Sequence, residues 1–204
     1  MEEKKENKQL LASLRIPTER IGSLADNIYG FAMTLLVVSI SLPTLESQTD
    51  TLQIYLSTQS RDFLNFAVSF ILLGLFWLYF NQLNRHIKKA STTSIALNLL
   101  MMMFVVLVPH STNLINAYPH TVGADLFFDV NMFFLSILMS INWIYCYQKG
   151  FVESEGIKSH IARINYSVFF LPLIAIVALI INTFFPGRGD LMYLLMPVAI
   201  IYAR

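Results

Sequence analysis

The chain has 204 residues, of which 55% are hydrophobic and only 13% are charged, and its formal net charge at pH 7 is +1. An average soluble domain carries about 25% charged residues, and the apolar residues here stand in long runs, so we predict an integral membrane protein. A single cysteine, Cys146, excludes an intramolecular disulfide, and the histidines lack the spacing of a metal site. We see no activated nucleophile or phosphate-binding loop, and we expect no enzyme activity and no cofactor.

Six apolar segments follow one another, and we predict a helix for each, which gives an all-α membrane protein. In chain order they cover residues 21–42, 63–80, 95–108, 126–145, 166–184 and 191–203. The sixth has about 13 residues and rises about 20 Å, which is short for a bilayer core of about 30 Å. The predicted organisation is a cytoplasmic tail, residues 1–19, followed by a six-helix transmembrane domain, residues 20–204.

Lysine and arginine residues predict the orientation in the membrane. The loops on one side carry Lys4, Lys5, Lys8, Arg15 and Arg20, then Arg85, Lys88 and Lys89, and finally Lys149, Lys158 and Arg163. The other side carries only Arg61 and Arg188. Because positive charge marks the cytoplasmic side, we expect both termini in the cytoplasm of a multi-pass protein of the cell's inner (plasma) membrane. The charged N-terminus is followed by no small-residue cleavage site, so we expect no removable signal peptide.

One acidic residue, Asp26, lies at the start of the apolar run that forms the first segment. A carboxylate at the centre of a membrane-spanning helix costs roughly 2.5–3.5 kcal/mol, and less near its end, so such a residue normally has a partner. Arg20, six positions earlier, is the candidate counter-charge, through another helix or a loop, because positions six apart are poor neighbours on one helix. The alternative is that Arg20 anchors the helix in the lipid headgroups.

The first segment has distinct faces when it is drawn as a helix at about 100° per residue. Phe31, Leu35 and Val38 form a narrow apolar stripe, and Asp26 lies about 140° away from it. The polar residues Asn27, Thr34 and Ser41 recur every seven positions beside the stripe. Two interpretations stay open: a lipid-facing stripe with a helix-contact flank, or rings of side chains around a symmetry axis that line a pore.

Other residues have a structural and a functional interpretation. Trp77 is predicted to pack against the Asp26 region or to belong to the interfacial aromatic belt. Asn98 is predicted to be a buried structural amide. His110, Ser111 and Thr112 are interpreted as the start of a solvated loop, with a channel mouth as the alternative. Asp125 and Asp129 are interpreted as a solvated helix N-terminus, with cation attraction as the alternative.

The sequence resembles a known family in its first half. Arg20-Ile-Gly-Ser-Leu-Ala-Asp26 is similar to the R-x-x-x-F-S-D signature of the transmembrane protein 175 potassium channels, and the following residues to Pro43 resemble the first helix of that family. Phe76-Trp77 and the run from Leu97 to Thr112 resemble the family's second and third helices. Leu24 and Ala25 stand where the signature has Phe and Ser.

The resemblance implies a potassium-selective channel without a pore loop, in which four six-helix subunits assemble and the first helix of each lines the pore. The narrowest ring of the family corresponds to Phe31, where Ile or Leu is usual, and Leu35 and Val38 follow it. Thr34 is the position implied for selectivity, Asn27 and Ser41 flank the pore, and Arg20, Asp26, Trp77 and Asn98 form the supporting network. The expected partners are three further copies of the chain, the lipid bilayer and permeant potassium ions, with no nucleic acid.

Two other classes of function stay open from the sequence. Asp26 is also the candidate protonatable site of a proton-coupled secondary transporter, and a membrane protein that conducts nothing is the third possibility. Segments one to three do not resemble segments four to six, which makes an inverted-repeat transporter less favoured.

Overall fold

The computed structural model describes residues 17–40, 59–119, 121–152 and 158–202, and in these residues the chain is mostly helical. Three long helices at its centre extend well beyond the predicted apolar runs. In chain order the helices are α1 (Thr18–Leu35, continued by a 3₁₀ turn, Leu36–Ser39), α2 (Ser60–Asn84), α3 (Thr92–Ala117), α4 (Val122–Gln148), α5 (Lys158–Ser167), α6 (Phe170–Phe184) and, after a 3₁₀ segment (Gly189–Leu195), α7 (Met196–Tyr202).

Five helical stretches are long and apolar enough to cross a membrane: 18–39, 60–84, 92–117, 122–148 and 161–184. The fifth joins α5 and α6. The predicted sixth segment is present as a shorter apolar stretch, Gly189–Val198. The chain is therefore an integral membrane protein of five to six apolar helices, as its composition predicts.

Helix α3 shows why the predicted segments are too short. We predicted its end at residue 108, before Pro109, but the helix continues through the proline to Ala117. Beside the proline, the hydroxyls of Ser111 and Thr112 donate to the carbonyl oxygen of Val108, at 2.9 and 3.0 Å. Such side-chain bonds let membrane helices tolerate proline. The solvated-loop interpretation of Ser111 and Thr112 is wrong, because both are 0% exposed.

Helix α4 forms the centre of the bundle. It packs against α3 on one side and against α6 on the other, while α1 packs against α3 and α2. Its buried face includes Met132, Leu135, Met139, Trp143 and Cys146, which recur at helical spacing. The arrangement leaves α1 at the edge of the described bundle, with one side packed and the other open.

Candidate functional site: the exposed face of the first helix

Helix α1 is divided lengthwise into a packed side and an open side. The packed side consists of Ile21, Ala25, Tyr29, Ala32 and Leu36, each at most 7% exposed. Their spacing of three or four residues keeps them on one face of the helix. The small side chains of Ala25 and Ala32 let the neighbouring helices approach closely. The sequence thus fixes which way α1 faces.

The open side carries the three residues of the predicted stripe. Phe31, Leu35 and Val38 are 70%, 49% and 73% exposed, and we call them the outward stripe. Their exposure places them together on one face, as the periodicity predicts. Val38 lies in the 3₁₀ turn rather than in the α-helix, which ends at Leu35. The predicted helix end at residue 42 is therefore too late.

Polar residues accompany the outward stripe on the same open side. Asn27 and Thr34 are both exposed. The hydroxyl of Thr34 donates to the carbonyl oxygen of Phe31 at 2.8 Å, so its proton is used in a hydrogen bond within the helix. The oxygen of Thr34 therefore keeps lone pairs available to a ligand outside the helix. Ser41, the third predicted flanking residue, lies outside the described residues.

Asp26 has a different partner from the one we favoured. The indole Nε1 of Trp77 donates to Asp26 Oδ1 at 2.8 Å, across α2 and α1. Of the two interpretations of Trp77, the structure therefore shows the contact with the Asp26 region. Arg20 is exposed on the first turn of α1, and the hydrogen bond that the structure gives Asp26 comes from the indole. The contact ties the middle of α1 to α2.

A cleft of ≈ 620 Å³ opens beside this contact. Asp26 and Trp77 line it together with Gln82, Arg85 and Ile201. Arg85 directly follows the last residue of α2, about 12 Å along the helix from Trp77 at 1.5 Å per residue. The cleft therefore runs from the Asp26 carboxyl to the cationic end of α2.

Asn98 lies in a separate polar cluster between α3 and α4. Its Nδ2 donates to the Ser94 carbonyl oxygen at 2.9 Å, and its Oδ1 accepts from Asn142 Nδ2 at 3.3 Å. Ser94 Oγ donates to Asn142 Oδ1 at 2.8 Å, which closes the cluster. Asn98 is 3% exposed. The structure shows it as a buried structural amide, as predicted, in a cluster whose described bonds join α3 and α4.

A polar cluster lies where the first turns of α4 meet the end of α6 and the 3₁₀ segment. Asp129 is 0% exposed and accepts from Asn182 Nδ2 and from the Tyr193 hydroxyl, both at 2.8 Å. Asn182 Oδ1 accepts from the Gly189 amide at 2.7 Å. Asp125 is 2% exposed. The interpretation of Asp125 and Asp129 as solvated is wrong, because the 3₁₀ segment and α6 cover this end of α4.

Asn116, with Asn65 behind it, holds the turn that ends α1, and neither asparagine was among the predicted site residues. Asn116 Nδ2 donates to the Ser39 carbonyl oxygen at 2.8 Å, and Asn65 Nδ2 donates to Asn116 Oδ1 at 2.8 Å. Amides at the ends of two apolar segments were the available signal, but the sequence does not show that they meet. In the part of the chain that the structure describes, no group of three His, Cys, Asp or Glu residues could hold a metal ion.

These observations define a class of protein: a polytopic helical membrane protein whose first helix is packed on one side. The other side of that helix presents the apolar outward stripe with exposed polar residues beside it. The family model described as endosomal/lysosomal potassium channel TMEM175 matches residues 20–109, which include nearly all of α1, all of α2 and most of α3. The resemblance to the transmembrane protein 175 family is thereby confirmed.

The known proteins that are similar to the chain include the following two. A potassium channel of Streptomyces collinus is 27% identical over 99 residues, which make up 48% of this chain and 48% of that protein. The matched segment thus spans about half the length of that relative. The crystal structure of a lysosomal potassium-selective channel TMEM175 homolog from Chamaesiphon minutus superimposes with a TM-score of 0.76 over 91% of this chain and 96% of that one, at 20% identity. That likeness shows a shared fold.

Proposed function

We propose that the chain is the subunit of a homotetrameric, potassium-selective channel that conducts passively through a pore lined by α1. The outward stripe of Phe31, Leu35 and Val38 forms the constriction, the Thr34 ring supplies selectivity, and Asn27 and Ser41 flank the path. The proposal places both termini in the cytoplasm and the protein in the inner membrane, as the distribution of lysine and arginine predicts. The resemblance to a family of potassium channels supports it.

The observation that carries the proposal is the composition of the open side of α1. A lipid-facing surface is normally apolar, as on α6 before its last turn, where Leu173, Ile176 and Ile180 are 55%, 41% and 52% exposed; the exposed Thr183 lies in that last turn. The open side of α1 instead mixes the outward stripe with the exposed polar residues Asn27 and Thr34. Polar groups in lipid are costly. A pore in which apolar rings alternate with hydroxyl rings accounts for both kinds of residue on this side of α1.

The physics of such a pore follows from its rings. Four Phe31 side chains around an axis would expel water, and an apolar constriction without water blocks ions by dewetting. Hydroxyl oxygens one turn away would replace part of the hydration shell of an ion. The Thr34 hydroxyl is oriented for this role, because its proton is held by the Phe31 carbonyl and its lone pairs remain. In this proposal Phe31 limits the ion flux through the pore, and Thr34 determines which ion is selected.

The proposal is tested with purified protein in liposomes. We expect potassium flux that follows an imposed potassium gradient and needs no second ion. Flux coupled one-to-one to protons would instead support a secondary transporter that uses Asp26. An absence of flux of any ion would support a membrane protein that conducts nothing. Cross-linking of the reconstituted protein is expected to give a ladder that ends at four subunits.

The role of the outward stripe is tested by truncation. Phe31→Ala should raise potassium leak about tenfold, which corresponds to removing ~1.4 kcal/mol from the barrier. Ile180→Ala on α6 is the matched control, because it shortens an exposed apolar side chain away from α1. Thr34→Ala should lower the potassium-to-sodium permeability ratio, and Thr34→Ser should retain it. Unchanged currents in both alanine variants would show that α1 does not line the pore.

A further inference from the structure

The outer end of α1 is held by a bridge of two amide side chains. We call Asn65 and Asn116, with their bonds to each other and to the Ser39 carbonyl, the asparagine bridge; both bonds measure 2.8 Å. Asn65 lies near the start of α2, and Asn116 lies on the last turn of α3. The bridge therefore links the beginning of one helix and the end of another to the last turn of α1.

The bridge completes the hydrogen bonding of a helix end inside the membrane-spanning part of the chain. The last carbonyl groups of a helix have no partner within it, and in a bilayer they must find one in the protein. In the 3₁₀ turn, Ser39 Oγ donates to Leu36 O at 2.7 Å, and Ile40 N donates to Val37 O at 3.2 Å. Asn116 Nδ2 donates to the carbonyl oxygen of Ser39, a residue that is 2% exposed. Side-chain and backbone bonds together fix the turn.

The fixed turn carries the last residue of the outward stripe. Val38 directly precedes Ser39 and is 73% exposed, whereas Leu36 and Ser39 on the other side of the turn are buried. Holding the Ser39 carbonyl fixes the orientation of the turn, and with it the direction in which Val38 points. A 3₁₀ turn has poorer hydrogen-bond geometry than an α-helix and needs such support.

We propose that Asn116, supported by Asn65, is a positioning residue that sets the width of the Val38 ring at the outer end of the pore. The proposal rests on the proposed function, because it assumes that α1 lines the pore. It goes beyond that function by assigning to residues on α2 and α3 a control over the constriction. Neither asparagine touches the ions; both act through Val38.

The test is a double-mutant cycle on potassium leak from liposomes. Asn116→Ala should raise the leak about three- to tenfold, the range that corresponds to losing one hydrogen bond. In a Val38→Ala background, where the ring is already wide, the same change should have little further effect. Asn116→Asp keeps the shape but has no N–H for Ser39 and should behave like Asn116→Ala, whereas Asn116→Gln keeps the donor and should recover part of the closure.

Asn131 provides the matched control. It is an amide on α4 that is 4% exposed, and neither of its side-chain polar atoms has a hydrogen-bond partner among the described residues. Asn131→Ala should leave the leak unchanged. If Asn116→Ala does not assemble, Asn65→Ala removes the support of the bridge and serves in the same cycle.

The outcomes separate the two proposals. If Val38→Ala raises the leak but Asn116→Ala does not, or if the effects of the two changes simply multiply, the positioning role is rejected while the pore assignment stands. If neither Val38→Ala nor Phe31→Ala changes the leak, the pore assignment is rejected and the positioning role with it.

Discussion

Two aspartates on membrane-spanning helices, Asp26 and Asp129, are accommodated in different ways. Asp26 is exposed at the edge of the bundle and accepts one hydrogen bond, from the Trp77 indole. Asp129 is fully buried and accepts from Asn182 and Tyr193. In both pairings the donor is a neutral N–H or O–H group. The two aspartates therefore join different parts of the bundle: Asp129 joins α4 to α6 and the 3₁₀ segment, and Asp26 joins α2 to a first helix that stays open on one side.

The largest expected effect is on stability, from Asp129→Ala. The change leaves the Tyr193 hydroxyl buried without its acceptor and removes the shorter bond of Asn182 Nδ2, which keeps its contact with Asp190 Oδ1 at 3.4 Å. Each unsatisfied donor costs about 1–3 kcal/mol. We expect a loss of about 2–5 kcal/mol, seen as a large drop in the melting temperature of the detergent-purified protein. Asp26→Ala should lower the melting temperature much less.

Asp129→Asn is the milder change at the same position. Its amide oxygen can still accept from Asn182 Nδ2, and its new N–H can donate to the oxygen of the Tyr193 hydroxyl. The melting temperature should therefore fall less for Asp129→Asn than for Asp129→Ala. Equal losses in the two variants would contradict the bonding at Asp129.

A second, smaller effect is expected from Gly189→Ala, which disturbs the same cluster without removing a polar group. A Cβ at Gly189 would overlap the Ala178 carbonyl and lie 2.6 Å from Asn182 Cγ. Moving Asn182 away weakens its bond to Asp129, so we expect a cost of about 1–3 kcal/mol, as for overpacked cores. The melting temperature of the purified protein measures it.

Gly123→Ala is the control for this change. Gly123 lies in the first turn of α4, and a Cβ there would meet nothing within 4 Å. Alanine favours the helix over glycine, so the melting temperature should stay the same or rise. Equal losses in both variants would show that the packing at Gly189 is not special.

The sequence predicts the helices well and some of their terminal turns poorly. Long apolar runs locate the five long apolar helices among the described residues, but polar residues such as Thr112, Asn116 and Asp125 made the terminal turns resemble loops. These residues are hidden because they pair across helices: Asn116 and Ser39 are 77 positions apart, and Asn182 and Asp129 are 53 positions apart. Such pairing depends on how the helices pack, which one sequence does not reveal.

The candidate site divides in the same way. The outward stripe on α1 was predictable because helical periodicity alone places Phe31, Leu35 and Val38 on one face. The partner of Asp26 was not predictable, because the choice between Arg20 and Trp77 depends on the distance between α1 and α2. A charge argument favours the arginine, whereas the packing of α1 against α2 brings the indole N–H to 2.8 Å.

The smallest expected effect on stability, and the most specific one on function, comes from Trp77→Phe. The change keeps most of the ring and removes only the N–H that Asp26 accepts. Because the change removes a single hydrogen bond, worth about 0.5–1.5 kcal/mol, and introduces no overlap, we expect a smaller drop in melting temperature than for Gly189→Ala. If the bond orients α1, potassium flux per assembled channel should nevertheless change severalfold.

Trp143→Phe is the matched control, since the chain has two tryptophans and both donate from Nε1 to a side-chain oxygen. Trp143 donates to Asn165 Oδ1 at 2.8 Å and is 1% exposed. Losing that bond leaves a more deeply placed acceptor unpaired, so Trp143→Phe should lower the melting temperature at least as much as Trp77→Phe. It should leave flux per assembled channel unchanged, because Trp143 is on α4 and its bond does not involve α1. Equal changes of flux in the two variants would mean that the Asp26 contact stabilises the bundle without orienting the first helix.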